Sequence, residues 1–284
     1  MSILLDRTTR ILVQGITTTE GRQHTATMLE CKSEVVAGVS PGKYGQEVMG
    51  VPVYDKVSEA VKKHKIDASV IFVPRNAVLS ATTDAINEGI PLVIIITDNI
   101  PISDTLKIKD LASKKGTMII GPGSAGILVP NISKAGIIST EYVLPGMAGV
   151  ITRSKGKEKH ICQSLFKEEI GESTIVSLGG EKIIGTGYIE ILKLFEKDDD
   201  TQVVVIGGES HGRLEEDAAR YIKSSGYSKP VIAYIFGREA NPEMATEKEE
   251  MFEDANITVV SDIWEIGQII KESTIEEEEE EEEE

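Results

Sequence analysis

The sequence contains little cysteine and no long apolar segment. Its two cysteines, Cys31 and Cys162, lie in different predicted helices and lack the spacing of metal ligands. We therefore expect neither a disulfide framework nor a metal site. No apolar run reaches about 18 residues, and the first residues show no signal-peptide pattern. These absences argue against a membrane partner and favour a cytoplasmic protein.

Basic residues are scarce relative to acidic ones, and the formal net charge of the chain is −17. Nine of the negative charges form a terminal run of glutamates over residues 276–284, so the rest of the chain has a net charge of −8. This balance argues against nucleic acid as a partner. Any bound polyanion must be held by local groups such as helix N-termini, backbone amides and single lysines. The terminal glutamates repel one another, and we expect this tail to be disordered.

Strand and helix patterns alternate along the whole chain, which predicts an α/β fold with mostly parallel sheets. Strand patterns in the first half cover residues 10–15, 34–39, 68–73, 92–97 and 118–120. Helical patterns lie between them, over residues 21–31, 57–63, 77–88 and 103–115. This succession is typical of a Rossmann-like domain.

A passage rich in glycine and proline, residues 121–146, separates the first half from a second series of elements. Strand patterns then cover residues 149–151, 174–178, 203–206, 231–235 and 258–260. Helical patterns cover residues 158–168, 187–195, 214–223, 242–254 and 262–271. Five strands joined by crossover helices favour a flavodoxin-like domain. We predict a Rossmann-like domain over residues 1–130, a connection over residues 131–146 and a flavodoxin-like domain over residues 147–275.

Two segments of the first half are suited to bind phosphate. Residues 14–21 follow an apolar strand and open a helix, where glycines and free amides favour an anion. Lys43 follows the second strand, at a position where NAD-binding proteins usually carry an acid for the ribose hydroxyls. A lysine suits a further phosphate group instead. The two segments therefore predict a nucleotide with an additional phosphate, such as coenzyme A or NADP.

Together with motifs further along, these segments resemble the α subunit of succinyl-CoA synthetase and the related CoA-ligase half of ATP-citrate lyase. The matching motifs occupy residues 14–17, 38–43, 73–74, 96–101, 120–122, 152–154, 179–181 and 207–209. The resemblance runs from Ser2 to Lys271. It implies a CoA-binding Rossmann-like domain followed by a flavodoxin-like ligase domain. It further implies an NTP-dependent, NDP-forming acid–CoA ligase, acting on a small carboxylic acid in a hetero-oligomer with a β-like ATP-grasp subunit that binds MgATP or MgGTP.

The resemblance also implies a set of binding residues. In the first domain the CoA site would be formed by Gly15, Thr17, Thr18, Thr19, Glu20, Pro41, Lys43, Val73, Pro74, Ile96, Thr97 and Asp98. The threonines and Glu20 would hold the CoA phosphates, Lys43 the nucleotide end, and residues 96–98 the pantetheine. Hydroxyl groups and amides at a helix start, with one cation, suit this role. In the second domain Thr152 and Ser154 would begin a phosphate-binding helix.

The second domain departs from the family pattern. The family carries its phosphohistidine in a Gly-His-Ala-Gly-Ala loop after the fourth strand, whereas residues 235–243 of this chain lead almost directly into the next helix. Among the four histidines, His211 lies nearest to the expected site, because it follows Glu209 at a strand end. In the family that glutamate contacts the phosphohistidine. Glu209 and His211 are therefore our candidate catalytic residues, the first orienting the second.

A second departure concerns recognition of the acid. Lys159 aligns with the family's substrate-contacting tyrosine, and residues 121–126 lack the asparagine and cysteine of the family's turn. The dipole of the helix that begins near Ser154, together with Lys155, Lys157 and Lys159, still favours an anion at that helix start. Besides an NADP-dependent redox sensor, three functions stay open. These are a subunit of an acid–CoA ligase, a non-catalytic CoA-binding or regulatory subunit, and a carbamoyl-transferring relative on the same scaffold.

Overall fold

The computed structural model describes residues 2–273, and the glutamate tail that we expect to be disordered lies outside them. The chain divides into two compact units. The N-terminal unit consists of Leu4–Ile138 and Val176–Gly187, and the C-terminal unit, among the described residues, of residues 2–3, Ser139–Ile175 and residues 188–273. No helix within the described residues combines the length and apolar character needed to cross a membrane.

A seven-stranded sheet forms the centre of the N-terminal unit. Its strands are β1 (Arg10–Gln14), β2 (Glu34–Val39), β3 (Glu47–Val48), β4 (Val51–Tyr54), β5 (Ala68–Ile71), β6 (Leu92–Ile95) and β7 (Met118–Ile120). Their order is β3-β4-β2-β1-β5-β6-β7, and only β3 runs antiparallel to its neighbour. The order reverses between β1 and β5, so the switch point, where α/β sheets bind ligands, lies at the carboxyl end of β1.

Four helices belong to this sheet: α1 (Thr19–Glu30), α2 (Val57–Val61), α3 (Val78–Asn87) and α4 (Ile102–Lys115). The central strands are apolar at successive positions rather than at alternate ones, as the fully buried Ile11, Leu12 and Val13 show. This pattern is expected of parallel strands that are covered on both faces. The alternation of periodicities in the sequence therefore located the four helices and all the strands except β3 and β4 to within about two residues.

Three features of the N-terminal unit were not predicted, the first being the short antiparallel pair β3 and β4. A hairpin of β8 (Gly126–Val129) and β9 (Ser133–Gly136) lies within the glycine-rich and proline-rich passage, with Asn131 in the left-handed conformation at its turn. The segment Val176–Gly187 also packs with this unit, because the Gly185 amide donates to the Gly121 carbonyl at 2.8 Å. Turn-forming residues concealed the hairpin from a search for apolar periodicity.

The C-terminal unit contains a second parallel array. Its strands are β10 (Pro145–Thr152), β11 (Glu172–Ser177, whose last two residues fall in the N-terminal unit), β12 (Val203–Glu209), β13 (Val231–Phe236) and β14 (Thr258–Val259). Its helices are α5 (Lys157–Lys167), α6 (Tyr188–Phe195), α7 (Leu214–Ser225) and α8 (Pro242–Glu253), followed by a helical segment over residues 265–273. The sheet has seven strands in the order β14-β13-β12-β10-β11-β8-β9, and its first five have the flavodoxin-like order. The predicted α/β class, with two domains of these kinds, is confirmed.

Candidate functional site

A cavity of about 860 Å³ opens at the carboxyl ends of β1, β2 and β5 in the N-terminal unit. Its size is typical of a site for a small molecule or cofactor. Among its lining residues are seven that the sequence predicted, namely Gly15, Thr17, Thr18, Pro41, Lys43, Val73 and Pro74. The other five predicted residues do not line it, namely Thr19, Glu20, Ile96, Thr97 and Asp98. The cavity therefore collects most of the predicted phosphate and nucleotide contacts at the switch point.

The loop between β1 and α1 is built around Gly15 and Thr18. Gly15 has a φ of +81°, and a Cβ atom there would lie 2.8 Å from the carbonyl oxygen of Phe72, so a larger residue does not fit. Thr18 caps α1: its hydroxyl accepts from the Gly21 amide at 3.0 Å and donates to the Gly15 carbonyl at 2.8 Å. The Thr18 hydroxyl is thus committed to the fold rather than to a ligand.

The remaining predicted residues of this loop have different environments. Thr19 is the first residue of α1 and Glu20 is exposed in its first turn. Their amides have no intrahelical acceptor, and they are the groups that a phosphate at this helix start would meet. The Thr17 hydroxyl donates to the Ser40 hydroxyl at 2.9 Å. This bond ties the loop after β1 to the loop after β2, a role of Ser40 that the sequence did not reveal.

Residues 96–98 lie at the end of β6, beside the cavity rather than in its wall. Ile96 as a whole residue is 1% exposed, and its amide donates to the Ile71 carbonyl at 3.2 Å, so it is buried away from a ligand. The Thr97 hydroxyl donates to the Val73 carbonyl at 2.7 Å and thereby joins two neighbouring strand ends. The Asp98 carboxylate accepts from the Asn99 side-chain amide at 3.0 Å. Thr97 therefore makes a structural hydrogen bond, and Asp98 is an exposed carboxylate at this edge of the sheet.

In the C-terminal unit the candidate catalytic residues stand at the end of β12. The His211 ring is 56% exposed, and its Nδ1 atom lies 3.9 Å from the Oε2 atom of the mostly buried Glu209. This distance suits an ion pair but exceeds that of a hydrogen bond. Of the predicted phosphate-binding residues, Thr152 ends the neighbouring strand β10 and Ser154 follows it, and β10 pairs directly with β12. The two predicted groups are therefore brought to the same edge of one sheet.

The start of α5 is occupied by a carboxylate of the chain itself. Glu158 is 4% exposed, and its Oε1 atom accepts from the Gly156 amide at 3.0 Å. The Thr152 hydroxyl lies within 3.5 Å of the other carboxylate oxygen. Burial raises the pKa of Glu158, against the effect of these hydrogen bonds. An anion at this helix start would compete with Glu158, a residue whose role the sequence analysis missed although it is an acid in a first helical turn.

A buried group of charges fixes the loop that carries His211. The Arg153 guanidinium donates to the His211 carbonyl at 3.0 Å, and its side chain is 2% exposed. The Glu209 amide donates to Oε1 of Glu215, whose other oxygen accepts from Lys248 at 2.7 Å. These three buried side chains come from segments far apart in sequence, so the sequence analysis did not connect them. They hold the backbone of residues 209–211 while the His211 ring stays accessible.

The connection between β13 and α8 is as short as the sequence indicated. Only residues 237–241 separate the two elements, and none of them is a histidine. The amides of Ala240 and Asn241 both donate to the Gly237 carbonyl, which closes a compact turn. Lys157 lies over the Phe236 ring, 4.8 Å from its centre. Within the described residues, no group of three or more His, Cys, Asp and Glu side chains is arranged to hold a metal ion.

Comparison with protein families covers most of the chain. Residues 6–99 match the family described as CoA binding domain, and residues 150–265 match the family described as CoA-ligase. The first match includes the phosphate loop and the loop of Lys43. The second includes the strand ends that carry Thr152 and Glu209. The resemblance that the sequence motifs indicated is confirmed in both units.

Relatives of high similarity extend over the same range. The succinate–CoA ligase [ADP-forming] subunit alpha 2 of Archaeoglobus fulgidus is 43% identical over 242 residues, which cover 85% of this chain and 84% of the relative. The alpha subunit from Methanothermobacter thermautotrophicus is 43% identical over 240 residues, which cover 84% of this chain and 81% of that relative. The alpha subunit from Staphylococcus epidermidis is 38% identical over 242 residues, covering 85% and 80%.

Solved structures share the fold at lower identity. The ATP citrate lyase from Methanothrix soehngenii, in complex with citrate and coenzyme A, superposes with a TM-score of 0.84 at 19% identity, over 96% of this chain and 52% of that chain. The dinucleotide forming acetyl-coenzyme A synthetase 1 of Ca. Korarchaeum cryptofilum has a TM-score of 0.75 at 23% identity, over 90% of this chain and 58% of that chain. This chain thus spans just over half the length of each of these structures.

Proposed function

Because the chain belongs to the family of succinate–CoA ligase α subunits, we propose that it is the CoA-binding, α-like subunit of an NTP-dependent, NDP-forming acid–CoA ligase. In this proposal it works in a hetero-oligomer with a β-like ATP-grasp subunit, which binds MgATP or MgGTP. The acid substrate is a small carboxylic acid. The reaction joins the carboxyl carbon to the thiol of CoA while the NTP is cleaved to NDP and phosphate, and the phosphate takes up the oxygen that leaves the carboxyl group. In this proposal the protein is cytoplasmic. The identity across both units supports the proposal more strongly than any single motif.

The observation that carries the CoA assignment is the cavity at the switch point of the N-terminal sheet. It combines the start of α1, which favours phosphate, with Lys43, a cation in the loop after β2. The apolar side chains of Val73 and Pro74 form another part of its wall and suit the pantetheine arm. An NAD site would place a carboxylate where this chain has residues 40–43. The cavity therefore favours a nucleotide with an additional phosphate.

The chemistry of the C-terminal unit rests on Glu209 and His211 in this proposal. Glu209 orients the imidazole by accepting the Nδ1 proton, which leaves Nε2 as the nucleophilic atom for a phosphoryl group. The exposed His211 ring must approach the carboxylate from its 3.9 Å separation to form that hydrogen bond. Arg153 supports the arrangement by holding the His211 carbonyl. The lysines at the start of α5, namely Lys155, Lys157 and Lys159, favour a phosphorylated intermediate by their positive charge.

A second candidate function is a non-catalytic CoA-binding or regulatory subunit. Two observations favour it: Glu158 already caps the helix start that would receive phosphate, and residues 237–241 replace the family's histidine loop. In that case the N-terminal cavity binds CoA while the C-terminal unit transfers no phosphate. A carbamoyl-transferring relative is the third possibility, and it requires carbamoyl phosphate rather than an NTP.

The decisive experiment uses the complex purified with its native partner subunit. MgATP or MgGTP, CoA and a panel of carboxylic acids are supplied, and thioester formation is recorded with each component omitted in turn. A thioester that depends on all components supports the ligase. CoA binding by calorimetry without any thioester favours the non-catalytic subunit, and turnover of carbamoyl phosphate without NTP favours the third function. A complex that binds no CoA contradicts the proposal.

A further inference from the structure

We propose that Asp55 is a positioning residue of the CoA site: it holds the loop of Lys43 in place and so sets the preference for a nucleotide with an additional phosphate. This inference rests on the proposed CoA binding. Asp55 follows β4 directly and lines the same cavity as Lys43. It is itself negatively charged, so a role in binding a polyanion is not expected from its charge.

The placement of Asp55 follows from the pairing of two strands. β2 and β4 are parallel, with Val39 opposite Tyr54. The Ser40 amide continues this pairing by donating to the Tyr54 carbonyl at 2.9 Å. The loop after β2 and the residue after β4 therefore emerge side by side at the carboxyl edge of the sheet. Asp55 is twelve residues from Lys43 in sequence but adjacent to it in space.

A single carboxylate oxygen of Asp55 accepts two consecutive amides of this loop. The amides of Lys43 and Tyr44 both donate to Oδ1, each at 2.9 Å. Successive amides that converge on one point form a concavity that suits an anion. Here the Asp55 carboxylate fills that concavity, so these amides are not available to a phosphate. The Lys43 side chain is then the cationic group that this loop offers to a phosphate.

The two ends of the loop are fixed by different contacts. Ser40 ties the first end to the loop after β1 through the Thr17 hydroxyl at 2.9 Å. Asp55 fixes the other end, where Lys43 and Tyr44 are exposed. Without Asp55 the Lys43 amide keeps its 3.1 Å bond to the Ser40 carbonyl, so the turn survives but moves more freely. Ordering a mobile lysine upon binding costs conformational entropy, and the affinity for its phosphate partner falls.

An electrostatic effect and a positioning effect predict opposite changes in CoA affinity when this carboxylate is removed. If only charge matters, Asp55→Ala removes a repulsion and strengthens the binding of CoA. If Asp55 positions Lys43, the same variant weakens CoA binding. Asp55→Asn separates the two effects, because the amide oxygen can still accept both backbone amides without the charge. Asp84 provides a matched control: it is an exposed carboxylate that lines the same cavity from α3.

The test is calorimetry of the full chain with CoA and with 3′-dephospho-CoA. We expect Asp55→Ala to weaken CoA binding by about fivefold to twentyfold and to change dephospho-CoA binding by less than about twofold. Asp55→Asn should stay within about twofold of the wild type for both ligands, and Asp84→Asn should bind CoA equally or more tightly. The ratio of the two affinities is a readout that general loss of structure does not move.

A double-mutant cycle with Lys43→Ala shows whether Asp55 acts through Lys43. In the Lys43→Ala background, Asp55→Ala should have no further effect on CoA affinity. Additive losses, equal losses for both ligands, or tighter CoA binding by Asp55→Ala would each overturn the positioning role. Those results leave the CoA site itself intact, because the wild type still binds. A wild-type chain that binds neither ligand overturns the proposed function together with this inference.

Discussion

Lys248 and Glu215 form a buried ion pair: Nζ lies 2.7 Å from Oε2, and the two side chains are 2% and 0% exposed. The pair joins α8 to α7, next to the strand end that carries the candidate catalytic residues. Arg153 contributes a second buried cation, 3.9 Å from the other oxygen of Glu215. Because an uncompensated buried charge is costly, each member of this cluster depends on the others.

Replacing Lys248 with methionine should destabilise the C-terminal unit by about 3 kcal/mol, since Glu215 then keeps only the more distant Arg153 as a counter-charge. The measurement is urea unfolding followed by the fluorescence of Trp264, the single tryptophan. Lys223→Met is the control, because Lys223 and Asp254 form a 2.6 Å pair that is exposed. That variant should lose less than about 1 kcal/mol. Equal losses in the two variants would show that burial does not strengthen the first pair.

Lys43→Ala should weaken CoA binding by about 1–3 kcal/mol, the scale of a charge-assisted hydrogen bond. The loss should be larger for CoA than for dephospho-CoA, because the side chain is offered to the additional phosphate. Calorimetry on the full chain measures both affinities. Lys62→Ala is the control, since Lys62 is exposed outside the cavity. Unchanged affinity in Lys43→Ala would remove Lys43 from the site.

Gly15→Ala and Gly116→Ala separate a steric requirement from a conformational one. Both glycines have a positive φ, +81° and +70°, but only at Gly15 would a Cβ atom meet another group within 4 Å. Each variant should lose about 1–2 kcal/mol for the left-handed conformation. Gly15→Ala should lose at least about 2 kcal/mol more, because the loop must move away from Phe72.

Urea unfolding followed by circular dichroism checks the stability of both glycine variants, and calorimetry checks CoA binding. We expect Gly15→Ala to lose CoA affinity by more than about tenfold, since the phosphate loop is displaced. Gly116 lies at the end of α4, so the Gly116→Ala variant should bind CoA normally. Normal binding by Gly15→Ala would mean that this loop does not contact the ligand.

Glu172 should make the C-terminal unit less stable as the pH rises. Burial raises its pKa to about 7, against the hydrogen bonds from Cys162 and the Leu144 amide. The native state therefore holds this proton more tightly than the unfolded state. Its contribution to stability is complete below the unfolded pKa of about 4.5 and is lost as the pH rises through about 7, up to about 3 kcal/mol in total.

Glu172→Gln removes the titration but keeps an acceptor for the Leu144 amide. Relative to the wild type, the variant should be more stable by about 2–3 kcal/mol at pH 8 and nearly equal at pH 4.5. Urea unfolding between these pH values, followed by Trp264 fluorescence, provides the measurement. Glu253→Gln, at an exposed position, should show no such change with pH. A constant difference between Glu172→Gln and the wild type across the pH range would contradict the prediction.

His211 should carry an acid-labile phosphoryl label if the C-terminal unit transfers phosphate. The complex with its partner is supplied with labelled NTP, quenched in alkali and compared after acid treatment. The label should be absent in His211→Ala and strongly reduced in Glu209→Gln, because the imidazole then loses its orienting carboxylate. His64→Ala is the control, since His64 bonds to Tyr54 in the N-terminal unit. Label that persists in His211→Ala would exclude this residue.

The sequence determined the fold class, the order of the two domains and the bounds of most helices and strands. These follow from local periodicity: β2 and β7 were predicted to the residue, as was the start of α8 at Pro242. The phosphate loop was also readable, because it depends on glycine and threonine next to a helix start. The short connection after β13 could also be predicted, because the segment between the strand and the next helix is shorter than the family's histidine loop.

Only the tertiary structure decided which polar groups are already engaged. Asp55 turned out to bind the amides of the Lys43 loop, and Glu158 to cap α5 against a second anion. The ion pair of Lys248 and Glu215 likewise unites two helices. Strand pairing brings Asp55 beside the Lys43 loop, and helix packing joins Lys248 to Glu215, in both cases across intervening chain that shows no local pattern. Glu158 contacts an amide only two residues away, and it was the burial of its carboxylate that the sequence did not show. The sequence therefore named the groups that could bind phosphate, whereas the packing determined which of them remain free to do so.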